Sequence, residues 1–502
     1  MSDNYLSAGP LYFRVDGSST IGLGHLVRCQ ALAQALQPIF KAVFIVREAE
    51  DAIKQQLGSA GIALWAIPAA IATGTAEADW LANQLTPTDV LILDGYHFTS
   101  DYQQTVAATG AALVCLDDLI TPPLWADLVL NQAGGVLPAA YAQVPLAQLC
   151  LGPVYALLRP EFWASATSPS ERRECRLFLN MGGADPTNQT ALLLPLVRQH
   201  FPSYTLVVVT GAAYPHQAAL QAVAQPLGGS ILLYHDLSAG ALAALLRTCE
   251  VFVCPPSGVA YECCATGGAV LLHPTAENQQ MLFQFLVQQQ LALPLAEGLT
   301  LPENALPSVA AQQLIRQRQL FDGLAAQRLQ TIFYQLAEGQ RYSLRRATKQ
   351  DSQLYFTWAN DPAVRRNAVH SAPIAWETHI AWFSRRLQDP DSYLYLLLSP
   401  TDEPIGQVRI EFDGPASVGT IDYSLAPAFR GQGLGQLLLR RALQRLRHER
   451  SGLAHHAVQG LVKSSNRASA RVFEQLRFVQ QGSVTLQGEE YEAYQLNFPP
   501  SC

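Results

Sequence analysis

Short apolar runs recur along the first two thirds of the chain, each closed by a Gly- or Asp-bearing turn. LYFRVDG (11–17) alternates Leu11, Phe13 and Val15 with polar neighbours, which is a strand signal. From His25 to Leu36 the spacing of Cys29, Leu32 and Leu36 becomes helical. KAVFIV (41–46), DVLILDGY (89–96), ALVCLDDL (112–119) and DLVLNQ (127–132) are further short buried runs. Strands that alternate with helices imply a parallel sheet. The stretch PEFWASATSPSERRE (160–174) interrupts the rhythm with Ser, Pro and charge and reads as a linker. The rhythm then restarts in CRLFLNMGG (175–183), YTLVVVTG (204–211), SILLYHDL (230–237), EVFVCPPSG (250–258) and GAVLLHP (268–274). The pattern therefore predicts two doubly wound α/β halves, 1–160 and 161–340, facing each other across a cleft. Ligands of such sheets bind beyond the carboxyl ends of the strands. Asp16, Asp94, Asp117, Gly182, Ser257 and His273 all fall there.

Past LAEGQRYSLRRATKQD (336–351) the pattern changes. A strand and helix are followed by YLYLLLS (393–399), IGQVRIEF (405–412) and VGTIDYSL (418–425), joined by Asp- and Gly-bearing turns, then by a helix from Gly431. This predicts an antiparallel meander within a separate α+β domain, 341–502.

Composition narrows the class. The 502 residues are 49% hydrophobic and 15% charged, ordinary for a globular protein, and the net charge of −7 gives no reason to expect nucleic acid as a partner. The nine cysteines are odd in number, with no Cys-x-x-Cys pair, and read as a reduced, buried set. The N-terminus lacks the basic flank and apolar stretch of a signal peptide, and no apolar segment reaches the ~20 residues of a membrane helix. The expectation is a soluble, cytoplasmic protein.

Three loops at one edge of the predicted sheets carry candidate chemistry. In NMGGADPTNQT (180–190), Gly182 and Gly183 remove side chains so that main-chain N–H groups can face an anion near a helix start; the alternative is a tight turn with Asp185 as helix cap. In PPSGVAYECCATGG (255–268), Ser257 and Gly258 can present N–H and hydroxyl groups to phosphate, and Glu262 can accept from a ribose diol; the alternative is a capping Ser and a solvated Glu. HPTAENQQ (273–280) adds Asn278 and Gln279. In the first half, RVDGSSTIGLGH (14–25) joins strand to helix through small residues, with His25 at the helix start. Gly22 and Gly24 let a ligand come close to His25. Arg14 and Asp16 read either as substrate contacts or as a buried pair that holds the loop. The chain offers no His-x-x-x-His or Cys-rich ligand spacing, so no metal is invoked.

Together the strings R-x-D-G-S-S-x-x-I-G-x-G-H (14–25), L-D-G-Y (93–96), N-M-G-G-A-D-P-x-N (180–188), S-G-x-A-Y-E (257–262) and E-N-Q (277–279) resemble the nucleotide-sugar hydrolases of pseudaminic acid biosynthesis. These are relatives of inverting glycosyltransferases with two Rossmann-like halves in a GT-B-like arrangement. The likeness covers roughly residues 1–335. It implies hydrolysis of UDP-2,4-diacetamido-2,4,6-trideoxy-β-L-altropyranose with inversion at the anomeric carbon. His25 matches the catalytic histidine. Asp94 and Tyr96 match the sugar-side loop, Glu262 the ribose site and Asn278 a polar residue of the active site. His25 would act as general base on the attacking water.

In VGTIDYSLAPAFRGQGLGQLLLRRAL (418–443), Arg430, Gly431, Gly433 and Gly435 form R-x-x-G-x-G at a helix start, which exposes N–H groups suited to a pyrophosphate. With NRASARVFEQLRF (466–478) this resembles the GNAT acetyltransferase superfamily over roughly 342–498. The resemblance implies acetyl-CoA as co-substrate, with Asn466 and Ser469 lining its arm. Where many members carry a tyrosine that protonates the departing thiolate, this chain has Phe473. Glu411 and Asp422 are candidate bases, each equally readable as a structural ion pair. Trp358, Asn360, Arg365, His379 and Trp382 are candidates for the acceptor pocket, or core and solvated residues.

The joint expectation is a bifunctional enzyme of pseudaminic acid or related nonulosonate synthesis. It would acetylate the 4-amino group of a UDP-amino sugar with acetyl-CoA and then release the sugar from UDP. Two alternatives stand: a glycosyltransferase that moves the sugar to an acceptor, and a UDP-sugar sensor that regulates the acyltransferase. The sequence leaves the oligomeric state open.

Overall fold

The computed structural model describes residues 9–16, 24–47, 51–120, 125–166, 175–228, 230–414, 418–450 and 457–498. Seven parallel strands form the first sheet: β1 (Leu11–Val15), β2 (Ala42–Val46), β3 (Ala63–Ala66), β4 (Val90–Asp94), β5 (Ala112–Leu116), β6 (Leu128–Asn131) and β7 (Gln148–Leu151). Their order across the sheet is 3-2-1-4-5-6-7. The reversal between β1 and β4 creates the crevice where such folds take ligands. A second parallel sheet repeats the plan with β8 (Arg176–Leu179), β9 (Thr205–Thr210), β10 (Ile231–His235), β11 (Val251–Cys254), β12 (Ala269–Leu272) and β13 (Leu293–Pro294), in the order 10-9-8-11-12-13.

Helices cover both faces of each sheet, so the central strands are buried on both sides and their sequences are apolar throughout. The alternation read in LYFRV is therefore not an in–out pattern. Phe13 packs in one core, and Arg14, on the other face, is fully buried as well. β3, β7 and β13, which the apolar runs did not mark, lie at the sheet edges or next to them, where little burial is required.

The last helix of the expected second half, 161–340, packs elsewhere. The helix Ala325–Gln340 returns to the first sheet: Leu329 and Phe333 complete its core beside Leu32 and Leu36, and Gln330 Nε2 donates to the Ala35 carbonyl. Burying two such side chains is worth about 1.5–3 kcal/mol each, which ties the end of the second half to the first. The expected linker 160–174 is structured over Pro160–Ala166, where Phe162 fills the second core; the rest lies outside the described residues. The halves also touch directly. Tyr261 donates to the Gln132 carbonyl at 2.9 Å, and a side chain at Gly134 would collide with Phe285.

The third sheet holds β14 (Ser343–Arg346), β15 (Ser392–Leu398), β16 (Pro404–Glu411), β17 (Gly419–Leu425), β18 (Ala457–Lys463), β19 (Val479–Leu486) and β20 (Glu489–Asn497), in the order 14-15-16-17-18-20-19. Neighbours are antiparallel except β17 and β18. These two pair only from Gly419↔Val458 to Ile421↔Gly460, and then diverge. A wedge opens in the middle of the sheet.

Candidate functional site

His25 is the second residue of the helix Gly24–Leu36, which follows β1. Its Nδ1 lies 2.7 Å from Asp94 Oδ1 at the end of β4. Asp94 is 1% exposed and also holds Arg28 through two hydrogen bonds, at 2.7 and 2.5 Å, and the Cys29 thiol. Burial alone would raise the Asp94 pKa, but the hydrogen bonds from Arg28 and His25 outweigh it and the net shift is downward. Nδ1 also lies 3.0 Å from Arg28 Nη2; with Nδ1 donating to the Asp94 carboxylate, Nε2 keeps its lone pair. Among the described residues nothing bonds Nε2. The Tyr96 ring stands edge-on to the imidazole, 4.7 Å between centroids, and its hydroxyl donates to Asp118. Tyr96 is 64% exposed and faces solvent. Asp94 was expected at the sugar; it sits instead behind His25 as its orienting partner.

Arg14 is also corrected. It is fully buried, donating to Glu77 at 2.7 Å and to Asp16 at 2.7 Å. Of the two readings of Arg14 and Asp16, the structure thus shows the buried pair. Asp16 accepts further from the Arg47 main-chain N–H and lies 3.6 Å from His97. Gly24 is open, with nothing near a would-be Cβ. Gly22 lies outside the described residues.

From the second half, Ser257 and Gly258 begin the helix Gly258–Thr266, and the Ser257 side chain does not cap it. The Ser257 side chain therefore leaves the first N–H groups of this helix unbonded by a cap. They line a cavity of about 130 Å³ with Arg28, Asp117 and Asp118 of the first half. Residues of both halves thus share one space; Arg28 lines it, and His25, three residues earlier on the same helix, does not.

The other loops differ from expectation. The Gly182 N–H already donates to Asn180, and Asp185 caps the helix Gln189–His200 by accepting from Gln189 and Thr190. That helix start is neutralised by its own carboxylate; Gly183 is open. Glu262 is 9% exposed and receives both hydrogen bonds of the Arg159 fork, at 2.8 and 2.9 Å. Burial pushes its pKa up and Arg159 only partly opposes this. Glu262 therefore fastens the Pro160–Ala166 segment to the second half instead of standing open for a diol. Asn278 is exposed, while Gln279 accepts from the Thr275 N–H.

In the third unit, a cavity of about 640 Å³ occupies the wedge between β17 and β18. Arg430, Gly431, Gly433, Gly435, Asn466 and Ser469 all line it. Gly431 and Gly433 have φ of 76° and 78°, which only glycine adopts without strain, and they lead into the helix Leu434–Glu449. Asn466 caps the helix Arg467–Gln475 by accepting from Ser469 N–H. Ser469 Oγ accepts from the Tyr423 hydroxyl at 3.2 Å and from Asn466 Nδ2 at 3.1 Å, so its own hydrogen is free to point into the cavity.

Asp422 lines the same cavity, 3.6 Å from Arg409. Glu411 does not: it pairs with Arg386 at 3.1 Å, which removes it as a candidate base. Trp358 and His379 are buried core, the His379 ring stacked on Phe383, and Asn360 bonds the Ile374 main chain. Arg365 donates to the His370 carbonyl, and Trp382 lies under the Arg409 guanidinium. None of these five lines the cavity.

Sequence reasoning missed Arg28, Asp118 and Tyr423. Arg28 stands three residues after His25, on the same helix face, and that spacing was a usable signal. Tyr423 had none beyond its place next to Asp422. Among the described residues no group of three His, Cys, Asp or Glu has the geometry to hold a metal, and no helix is long and apolar enough to cross a membrane. The cysteines among them are all free.

Residues 341–479 match the family described as acetyltransferase (GNAT) domain. An uncharacterised protein of Methanocaldococcus jannaschii is 22% identical over 415 residues, 79% of this chain and 82% of its own length. UDP-2,4-diacetamido-2,4,6-trideoxy-β-L-altropyranose hydrolase of Campylobacter jejuni is 27% identical over 230 residues, 45% of this chain and 77% of its own length. Among solved structures, a spermidine N-acetyltransferase of Vibrio cholerae in complex with CoA and spermine is 16% identical, covers 31% of this chain and 95% of its own, and has a TM-score of 0.28.

Proposed function

We propose that the chain performs two consecutive reactions on a UDP-amino sugar of pseudaminic acid or related nonulosonate synthesis. The third unit acetylates the 4-amino group with acetyl-CoA, and the first two units then hydrolyse the product to free sugar and UDP with inversion at the anomeric carbon. The observation that carries the hydrolase reading is the His25–Asp94 pair, joined through Arg28 to a cavity that residues of both halves line. The likeness to the Campylobacter jejuni hydrolase supports the substrate class.

In the hydrolytic step, His25 Nε2 takes a proton from water as its oxygen attacks the anomeric carbon. Asp94 holds the other ring nitrogen and stabilises the imidazolium that forms. The bond to the diphosphate breaks on the far side of the sugar. The negative charge of the leaving UDP is received by the N–H groups at Ser257 and Gly258 and by the adjoining helix start. Arg28, already neutralised by Asp94 and Asp118, keeps the histidine in place.

In the acetyl transfer, the amine attacks the thioester carbonyl, Asp422 receives the amine proton, and the C–S bond breaks. The thiolate is protonated from Ser469, whose proton is replaced through Tyr423. Burial raises the Tyr423 pKa, which keeps its hydroxyl protonated. The turn from Arg430 to Gly435 holds the pyrophosphate of CoA.

Incubation of the full chain with acetyl-CoA and the 4-amino UDP-sugar, followed by mass spectrometry, tests both steps. The expected result is gain of one acetyl group and then loss of UDP. Acetylation without release of UDP, or transfer of the sugar to an acceptor instead of water, would overturn the hydrolase half.

A further inference from the structure

The acetyltransferase unit meets the first sheet through its helix Leu434–Glu449. Gln444 Nε2 donates to Asp127 Oδ1 at 2.5 Å, and the Arg447 guanidinium lies 3.9 Å over the Trp125 ring. His448 sits 5.2 Å from the same ring. Beside these contacts is a cavity of about 520 Å³, walled by the first unit, by Gln340–Leu344 of the connecting segment and by this helix. That volume falls in the range of small-molecule sites. It contains none of the residues of the two candidate active sites.

The charge of this cavity is unbalanced. Arg341, Arg441, Arg445, Arg447 and His448 line it, against the carboxylates of Asp127 and Glu449. Both carboxylates are already engaged. Asp127 accepts from the Leu113 N–H and Gln444, and Glu449 from Arg346, Arg445 and Tyr395. Arg341 is matched by Glu338. Arg441 reaches only neutral oxygens, the Gly339 carbonyl and the Gln340 side chain, and Arg447 only an aromatic face. Burial pushes the pKa of both guanidiniums down, as it does for Arg440 on the same helix. Asp127 partly offsets this for Arg440 and Arg441, and no carboxylate does so for Arg447; partly buried guanidiniums short of counter-charge gain when an anion enters.

We propose that this cavity binds a phosphorylated small molecule, held by Arg441 and Arg447 at the junction of the acetyltransferase unit and the first sheet. Because the occupant touches both units, its binding favours their docked arrangement and couples the two by linkage. Guanidinium forks match phosphoryl oxygens better than any other side chain.

The test is calorimetry of the full chain with inorganic pyrophosphate, with UDP and CoA both saturating so that the two candidate active sites are filled. One binding event is expected to remain and to raise the melting temperature. In Arg441→Gln and Arg447→Gln its Kd weakens at least tenfold, in Arg447→Lys less so, and acetylation and UDP release without pyrophosphate stay within twofold of the parent. Absence of a remaining event in the parent chain would overturn the proposal. So would a Kd unchanged in both glutamine variants. If a glutamine variant melts early, the lysine variant decides: a Kd and melting shift identical to the parent count against a fork-held phosphoryl group.

Discussion

His25 Nδ1 lies 2.7 Å from Asp94 Oδ1, and Arg28 binds both oxygens of the same carboxylate. The ring is thus oriented from behind, with one nitrogen left for chemistry. His25→Asn is expected to keep the fold and UDP binding while lowering sugar release by about 10²–10⁴-fold, the usual contribution of a positioned base. Asp94→Asn should lower the rate as well with little change in KM, because the amide no longer fixes the tautomer. Stopped assays of UDP release with each variant check this. Near-parental turnover in His25→Asn would remove the histidine from the mechanism.

The acid of the acetyl transfer gives a second prediction. Tyr423 bonds Ser469 in the wedge between β17 and β18. Tyr423→Phe and Ser469→Ala should each lower kcat for acetyl transfer roughly tenfold or more, with KM for acetyl-CoA nearly unchanged. The double variant should be no worse than the worse single one, since the two groups act in series. Additive losses in a double-mutant cycle would separate them.

Much of this architecture was legible because parallel strands buried on both faces leave apolar runs that end in turns. DVLILDGY placed β4 and its Asp94 at the correct sheet edge. The R-x-x-G-x-G spacing of Arg430–Gly435 made that turn readable as well, and Gly431 and Gly433 adopt the positive φ it requires. What failed were partners far apart in the chain. Asp94 and His25 are 69 residues apart, and Glu262 meets Arg159 across 103, so neither pairing leaves a local trace. The resemblance implied ligand roles for both carboxylates, and it carries no information on which distant arginine or histidine each one meets. The helix Ala325–Gln340 was misassigned for a related reason. Leu329 and Phe333 mark an apolar face, but a helical period does not say which sheet it covers.

Acid stability follows from the anchor beneath the loop. Arg14 is buried between Glu77 and Asp16, and Glu77 also pairs with Arg47. For Asp16, Glu77 and Asp94 burial would raise the pKa, yet the arginine hydrogen bonds prevail and each shift is downward. A lowered carboxylate pKa contributes stability that is present above the unfolded value, 3.8 for Asp and 4.5 for Glu, and is lost as pH falls through the folded one. The melting temperature should therefore hold between pH 7 and 5 and drop steeply below about pH 4. Glu77→Gln should flatten that decline and lower the melting temperature at pH 7, since it leaves the buried Arg14 with Asp16 as its one carboxylate partner among the described residues. Thermal melts across this range measure both.

Phe473 occupies the position where many acetyltransferases place a tyrosine, and restoring the hydroxyl is expected to fail. The ring is buried, stacked at 17° on Tyr494 and packed edge-on against Phe478. Its tip, Cζ, is the atom nearest to Gly460, where an added Cβ would come within 2.3 Å. A hydroxyl on Cζ would have to enter that close-packed contact, and overfilling a core costs about 1–3 kcal/mol. Phe473→Tyr should therefore lower the melting temperature without raising kcat, and Gly460→Ala should lower it by a comparable amount. A gain in acetyl transfer by Phe473→Tyr at unchanged stability would show that the new hydroxyl reaches the cavity that Phe473 already lines, and would displace Ser469 and Tyr423 as the source of the proton.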